Sequence, residues 1–219
     1  MKTELRKSFD YGFVLTDQEL QRIYDKLVQQ MNRVTNAFTI GYEVKFANEV
    51  VAERTTLQEV LLEDNSGIWM TRALTITLAD QSPVKDAVQI SLKFQASDID
   101  SISYSVVGDD QDWVYLTGVK LEEGINEVKK VPLTKMARDV GTFGVPYAFI
   151  TAPLMARIVA SLGVPDYNFC WGRYVKVFER RKSIVNFIIF GVVVTIVLGI
   201  IIGIVANYIS AKIGIGGGH

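Results

Sequence analysis

Five aspartates, Asp98, Asp100, Asp109, Asp110 and Asp112, crowd into one short stretch of the chain. Their oxygens suit Mg²⁺ or Ca²⁺, and such a group could serve a membrane-tethered, metal-dependent enzyme. The spacing matches no Ca²⁺ loop, however, and Asp109 and Asp110 fall where a strand gives way to a helix. A carboxylate there caps the free N–H groups of the first turn. Turn and cap are the expected roles, with Asp109 and Asp110 the only residues kept as metal candidates. No metal and no other cofactor is expected. The only histidine is His219 and the only cysteine is Cys170. Ser-His-Asp, Cys-His and His-ligated metal chemistry therefore all lack their central part. No Walker-type loop, nucleophile elbow or dinucleotide fingerprint is present, so the chain is expected not to be an enzyme.

A second candidate is a surface rather than a constellation. Alternation along three expected strands puts Thr71, Ala73, Thr75, Thr77, Gln89, Ser91, Ser103 and Ser105 on the outward side of a sheet, together with Trp69. Small hydroxylated residues make a flat, adaptable floor. Trp69, Thr71, Thr75 and Ser103 mark it as a candidate ligand or partner face.

The third pattern concerns the membrane. No charged residue occurs in residues 183–211, and most of that stretch is Ile, Val, Phe, Leu and Gly. A run of this length and character reads as a transmembrane helix. On one flank stand Arg173, Lys176, Arg180, Arg181 and Lys182, opposed only by Glu179, whereas the other flank offers Lys212 alone. The positive-inside rule keeps the basic flank cytoplasmic, so the part before the span is expected in the cytosol of a single-pass protein, at the plasma membrane or, in a bacterium, the cell inner membrane. Trp171, Tyr174 and Phe178 follow at i, i+3 and i+7, which is expected to seat their rings at the headgroup boundary. Within the span Gly191, Thr195, Gly199, Gly203 and Asn207 recur at every fourth residue. Small residues in register let two helices approach closely in lipid, so this stripe is expected to carry homo-oligomerisation.

The 219 residues are 49% hydrophobic and 21% charged, with 23 basic against 24 acidic groups. Mean hydropathy is +0.21. That is enough apolar material for one core, and too little positive charge to hold nucleic acid. Met1 and its neighbours lead into no apolar core, so residues 1–13 are not expected to be a signal peptide. Thr16 and Glu19 announce a helix by their capping-box spacing, and Leu20, Ile23, Leu27 and Met31 give it an apolar stripe. Phe38, Ile40, Tyr42, Val44 and Phe46 alternate as a strand, with a short return strand at 50–53. Thr55 or Thr56 caps a brief helix containing Leu57, Val60 and Leu61. Strands are expected over 68–78, 84–94 and 101–107, then a helix over 112–130 with Val114, Leu121, Ile125 and Val128 on its inner side.

Segregated helices and hairpins argue an α+β class: a two-layer cytosolic domain with a mostly antiparallel sheet of about five strands, followed by one C-terminal transmembrane helix. The expected boundaries are 1–140 for that domain and 141–182 for a linker with a short amphipathic helix and the basic, aromatic juxtamembrane segment. The span takes 183–211 and a tail 212–219. The function this organisation suggests is a membrane-anchored oligomeric sensor or scaffold in signalling. Its cytosolic part would bind a small molecule or another protein and its helix would self-associate in the lipid membrane. A signal-triggered pore-forming or membrane-disrupting effector is the alternative within the same organisation.

Overall fold

A computed structural model describes residues 2–81, 88–97, 99–130 and 167–213. The chain forms two compact units, Met1–Phe178 and Glu179–His219. The first is α+β. Its main sheet is formed by β1 (Thr3–Phe9), β3 (Phe38–Phe46), β4 (Val51–Arg54), β5 (Thr71–Asp80), β6 (Gln89–Gln95) and β7 (Ile102–Gly108). These six strands lie in the order β1-β7-β6-β5-β3-β4, every neighbouring pair antiparallel. Helices α1 (Asp17–Met31) and α3 (Gln111–Val128) cover one face, and a short α2 (Leu57–Leu61) follows β4. A second, three-stranded sheet joins β2 (Gly12–Thr16) to β8 (Lys129–Lys130) and, in parallel, to β9 (Tyr167–Cys170).

The helices begin where their caps dictate. Thr16 and Glu19 close a capping box at α1, and Thr56 and Glu59 close another at α2. Asp110 accepts from the backbone N–H groups of Asp112 and Trp113 at the start of α3. Leu20, Ile23, Leu27 and Met31 are buried along α1, and Trp113, Val114, Leu121, Ile125 and Val128 along α3. They meet Tyr42, Val44, Leu74, Ile76, Leu92 and Phe94 from the sheet in one cluster. Gly118 and Gly124 weaken α3 as a free helix, yet they let it settle. A Cβ at Gly118 would stand 2.3 Å from a Leu5 methyl of β1, so any larger residue there would have to push that methyl aside.

Residues 3–16 hold two strands for which the sequence alone suggests no element, and two expectations need correction. β1 pairs with β7 through seven residues and β2 is buried at the centre of the small sheet. The first compact unit also does not end near 140, because Phe169 and Trp171 belong to the main core. Residues 67–69 form a 3₁₀ turn and β5 begins only at Thr71. The expected helix within 141–164 and the tail beyond 213 lie outside the described residues.

The fourth helix, α4 (Tyr174–Ile213), has 40 residues. At about 1.5 Å per residue that is roughly 60 Å of helix. Among the described residues no helix is long and apolar enough to cross a membrane. Side chains left outside that description include those of Val185, Ile188, Ile189, Val192, Val193 and Ile196.

Candidate functional site

Register builds the open face of the main sheet, because residues directly opposite across strands share a side. Arg6, Ser105, Ser91, Thr77 and Gly41 form one row across five strands, and Ser8, Ser103, Lys93, Thr75 and Glu43 form the next. The helices lie on the other face. Along part of these rows runs an open groove of about 750 Å³ lined by Arg6, Ser91, Lys93, Gln95, Ser103 and Ser105, among others. Its floor is hydroxyl and amide. Arg6 forms an ion pair with Glu4, while Lys93 stands half-buried between Ser103 and Thr75.

Of the residues expected on this face, Thr75 and Ser103 are there, with Ser91 and Ser105. Thr71 and Trp69 are not. The register slips between Lys45 and Phe46, which takes Thr71 off the alternation; it is buried and its N–H donates to Asn65 Oδ1 at 2.8 Å. Trp69 sits on the 3₁₀ turn, edge-on to the core residue Phe46 with 5.5 Å between ring centroids. Arg6, Ser8, Lys93 and Gln95 were missed. The alternation Gln89, Ser91, Lys93, Gln95 carried the signal for two of them. Lys7 on the helix side of β1 hid the other two by breaking the apolar pattern.

At the rim, Lys7 Nζ donates to Glu122 Oε1 at 2.6 Å and Tyr104 Oη donates to the same oxygen at 2.8 Å. Burial alone would raise the Glu122 carboxyl, but these two donors outweigh it and hold it below its usual range. Desolvation, then the same carboxylate, pushes the Tyr104 phenol up. This trio ties α3 to the outermost strand. Ser91, Ser103 and Ser105 have no side-chain partner among the described residues that could take a proton. The groove offers hydrogen bonds and the cationic groups of Arg6 and Lys93 to a polar partner.

The acidic residues do not converge. Among the described residues no three metal-ligating side chains gather, and Asp98 lies outside them. Asp110 is committed to the α3 cap, whereas the N–H of Asp100 donates to Asp10 Oδ1 at 2.7 Å in a turn.

The juxtamembrane aromatics also differ from expectation. Trp171 is 2% exposed, edge-on to Phe169, and Tyr174 is buried with its hydroxyl donating to Asn168 Oδ1 at 2.8 Å. Phe178 is half-buried beside Val14, Cys170 and Tyr174. A ring sealed in protein cannot sit among headgroups, so these residues anchor the end of the first unit instead. The segment is gripped by residues 63–65. Asn65, fully buried, donates from Nδ2 to the Phe169 carbonyl at 2.5 Å and accepts from Thr71 through Oδ1. The Arg173 N–H donates to the Asp64 carbonyl, and its guanidinium pairs with the Asp64 carboxylate at 3.0 Å. Gly172 has φ +57°, and a Cβ there would stand 2.5 Å from the Glu63 carbonyl oxygen. Only glycine fits.

Beyond this grip Lys176, Arg180 and Lys182 are exposed and Arg181 is half-exposed. Gly191, Gly199 and Gly203 follow on α4, where a Cβ would meet nothing within 4 Å, and Asn207 is exposed. Thr195 lies in the same helix, its side chain outside the description. The sequence matches no family model and no curated protein sequence, so a functional reading rests on this chemistry alone.

Proposed function

We propose that this chain is a single-pass, membrane-anchored binding module. Its α+β unit lies on the cytoplasmic side and presents the hydroxyl-lined sheet groove to a polar small molecule or protein, and its C-terminal helix self-associates in the bilayer. One observation carries the reading: a helix of 40 residues whose described side chains beyond Lys182 are exposed and mostly apolar, Phe187 being 79% exposed. Fully burying a large apolar side chain is worth about 1.5–3 kcal/mol. Phe187, Phe190, Ile202, Ile204 and Tyr208 are all exposed large groups. Leaving five of them in water forgoes on the order of 10 kcal/mol, as much as the whole stability of a typical domain. Lipid recovers that term. The basic residues at one end alone favour the cytoplasmic side for the first unit.

In lipid the drive for helix association is close packing, which favours a row of small residues. Gly199 and Gly203 are one turn apart at the centre of that row. The role of the module is then to couple what the groove binds to how the helices pack, as a sensor or scaffold.

The test is vesicle flotation after an alkaline wash. The full chain floats with lipid and a variant ending at Lys182 stays behind, folded. Gly199→Ile with Gly203→Ile still floats but runs at a smaller size in mild detergent. A full chain released by the wash overturns the anchor, and an unchanged size in the double variant overturns self-association through the glycines.

A further inference from the structure

Strand β1 is the outermost of the main sheet, and among the described residues no strand pairs with its outer side. The phase of the hydrogen bonds shows which of its groups are left open. The Gln95 N–H donates to the Ser101 carbonyl at 2.7 Å, so the backbone of Ser101 faces β6 and that of Ile102, one residue on, faces β1. Phe9 lies opposite Ile102, so Thr3, Leu5, Lys7 and Phe9 turn their N–H and C=O groups toward β7. Glu4, Arg6 and Ser8 turn theirs outward. Seven residues pair with β7 without a slip in register, which makes this edge a regular template for one more strand. An inward lysine often guards such an edge, but Lys7 is already held by Glu122.

Charge and shape point to the occupant. Glu4 and Arg6 are exposed on the open face, and in one copy they pair with each other. An antiparallel copy of β1 centred on Arg6 would set Arg6 against Arg6, and one centred on Glu4 would set Glu4 against Glu4. Centring on Leu5 sets Glu4 against Arg6 twice and Lys2 against Ser8, all in hydrogen-bonded pairs, with Leu5 meeting Leu5 on the helix side. The remaining charges do not oppose this register. Lys7 pairs with Glu122 and Lys120 with Glu123, Asp112 stays in the first turn of α3, and Asp10 lies past the overlap. On α3, Tyr115, Gly118, Val119 and Glu122 stand at i, i+3, i+4 and i+7, which is one flank of the helix. Gly118 meets Leu5 and Glu122 meets Lys7, so this flank borders the edge. Tyr115 is 69% exposed there, and Val119 is open beside it.

We infer that β1 is a pairing surface for a second copy of this chain, joined antiparallel about a two-fold axis at Leu5 so that the main sheet runs on through both copies. The contact is isologous, so every favourable pair occurs twice. Each Arg6 meets Glu4 of the partner subunit, while Tyr115 and Val119 of both copies close over the two leucines. The pairing is separate from the glycine contact of the helix, which joins such dimers further, so the Gly199→Ile, Gly203→Ile chain keeps it.

Disulfide cross-linking of the full chain in mild detergent tests this. The wild type has one cysteine, Cys170, which is buried, so mild oxidation should give no covalent dimer. Directly opposed residues of a non-hydrogen-bonded pair lie about 4.5 Å apart at Cα, within disulfide reach, whereas diagonal neighbours lie about 7–8 Å apart. Leu5→Cys should therefore link most of the chain and Arg6→Cys little of it. Adding Glu4→Arg or Arg6→Glu to Leu5→Cys should lose most of the link. Co-expressing those two charge variants should restore it, because each arginine of one chain then meets a glutamate of the other. A second pair of variants guards against a Leu5→Cys chain that does not fold: Glu4→Cys and Arg6→Cys, both at exposed positions, should link when co-expressed and not when alone. Equal linking by Leu5→Cys and Arg6→Cys overturns the inference, as does a link that ignores the charge changes. No link in either the Leu5→Cys chain or the co-expressed pair overturns it as well.

Discussion

Val14, Cys170 and Tyr174 before Glu179, and Phe187, Phe190 and Ile202 after it, are the same kind of side chain in opposite circumstances. The first three are covered by their own unit, down to the hydroxyl of Tyr174, which has found Asn168. The last three are exposed on a helix that offers them no cover. Hydrophobic character is thus not itself a sign of membrane: Trp171, Tyr174 and Phe178 have the spacing of an interfacial belt, yet two of them are sealed inside protein and the third is half-buried. What separates the two regions is whether the fold supplies a partner.

The largest effect that would break this contrast comes from cutting the first unit short. A chain ending at 140 keeps α1, α3 and the main sheet but loses β9, Phe169 and Trp171, uncovering β2 along its parallel edge. It should show no cooperative thermal melt, whereas a chain ending at Lys182 melts in one step. Equal melts for both would mean that residues 167–178 add nothing to the core.

A smaller effect is expected at the grip itself. Asn65→Ala removes the acceptor of the Thr71 N–H and the donor to Phe169, and it replaces a residue type that tolerates the left-handed region with one that does so less readily, at φ +43°. The cost should be about 2–4 kcal/mol, from buried groups left unpaired and local strain. A loss below about 0.5 kcal/mol in a denaturant titration would leave the grip without energetic meaning.

The rim trio predicts the pH dependence. Glu122 is held below its usual range in the folded state, so its stabilisation is present above the unfolded carboxylate value and fades as pH falls through the folded one. Tyr104 is raised, so its contribution is intact below the ordinary phenol value near 10 and is lost in stronger base. Glu122→Gln should therefore lower the melting temperature near neutral pH and narrow the gap from wild type at mildly acidic pH. A gap independent of pH would show that the carboxylate's charge is idle there.

Most of the main fold was legible, because local rules and tertiary packing agree. The capping box at Thr16, a threonine cap at one of the two positions offered for α2, the alternation of Phe38 to Phe46 and the inner stripes of α1 and α3 all stand where sequence puts them. What escaped depends on distant partners. β1 carries Lys7 on its inner side and reads as polar until Glu122 and Tyr104 supply its ligands. β9 is four residues long and pairs in parallel with a strand some 150 positions earlier, which no local period reveals. The groove was half legible for the same reason: β5, β6 and β7 announced Thr75, Ser91 and Ser103, and the unread β1 withheld Arg6 and Ser8.

Whether the two regions lie in different solvents is tested most directly by protease accessibility in sealed bacterial membrane vesicles of both orientations. The first unit should be digested in inverted vesicles and protected in right-side-out ones, with a lipid-embedded fragment beginning near Lys182 surviving in both. Digestion of the first unit in right-side-out vesicles would contradict the orientation, and complete digestion of residues 183–211 in either preparation would contradict the span.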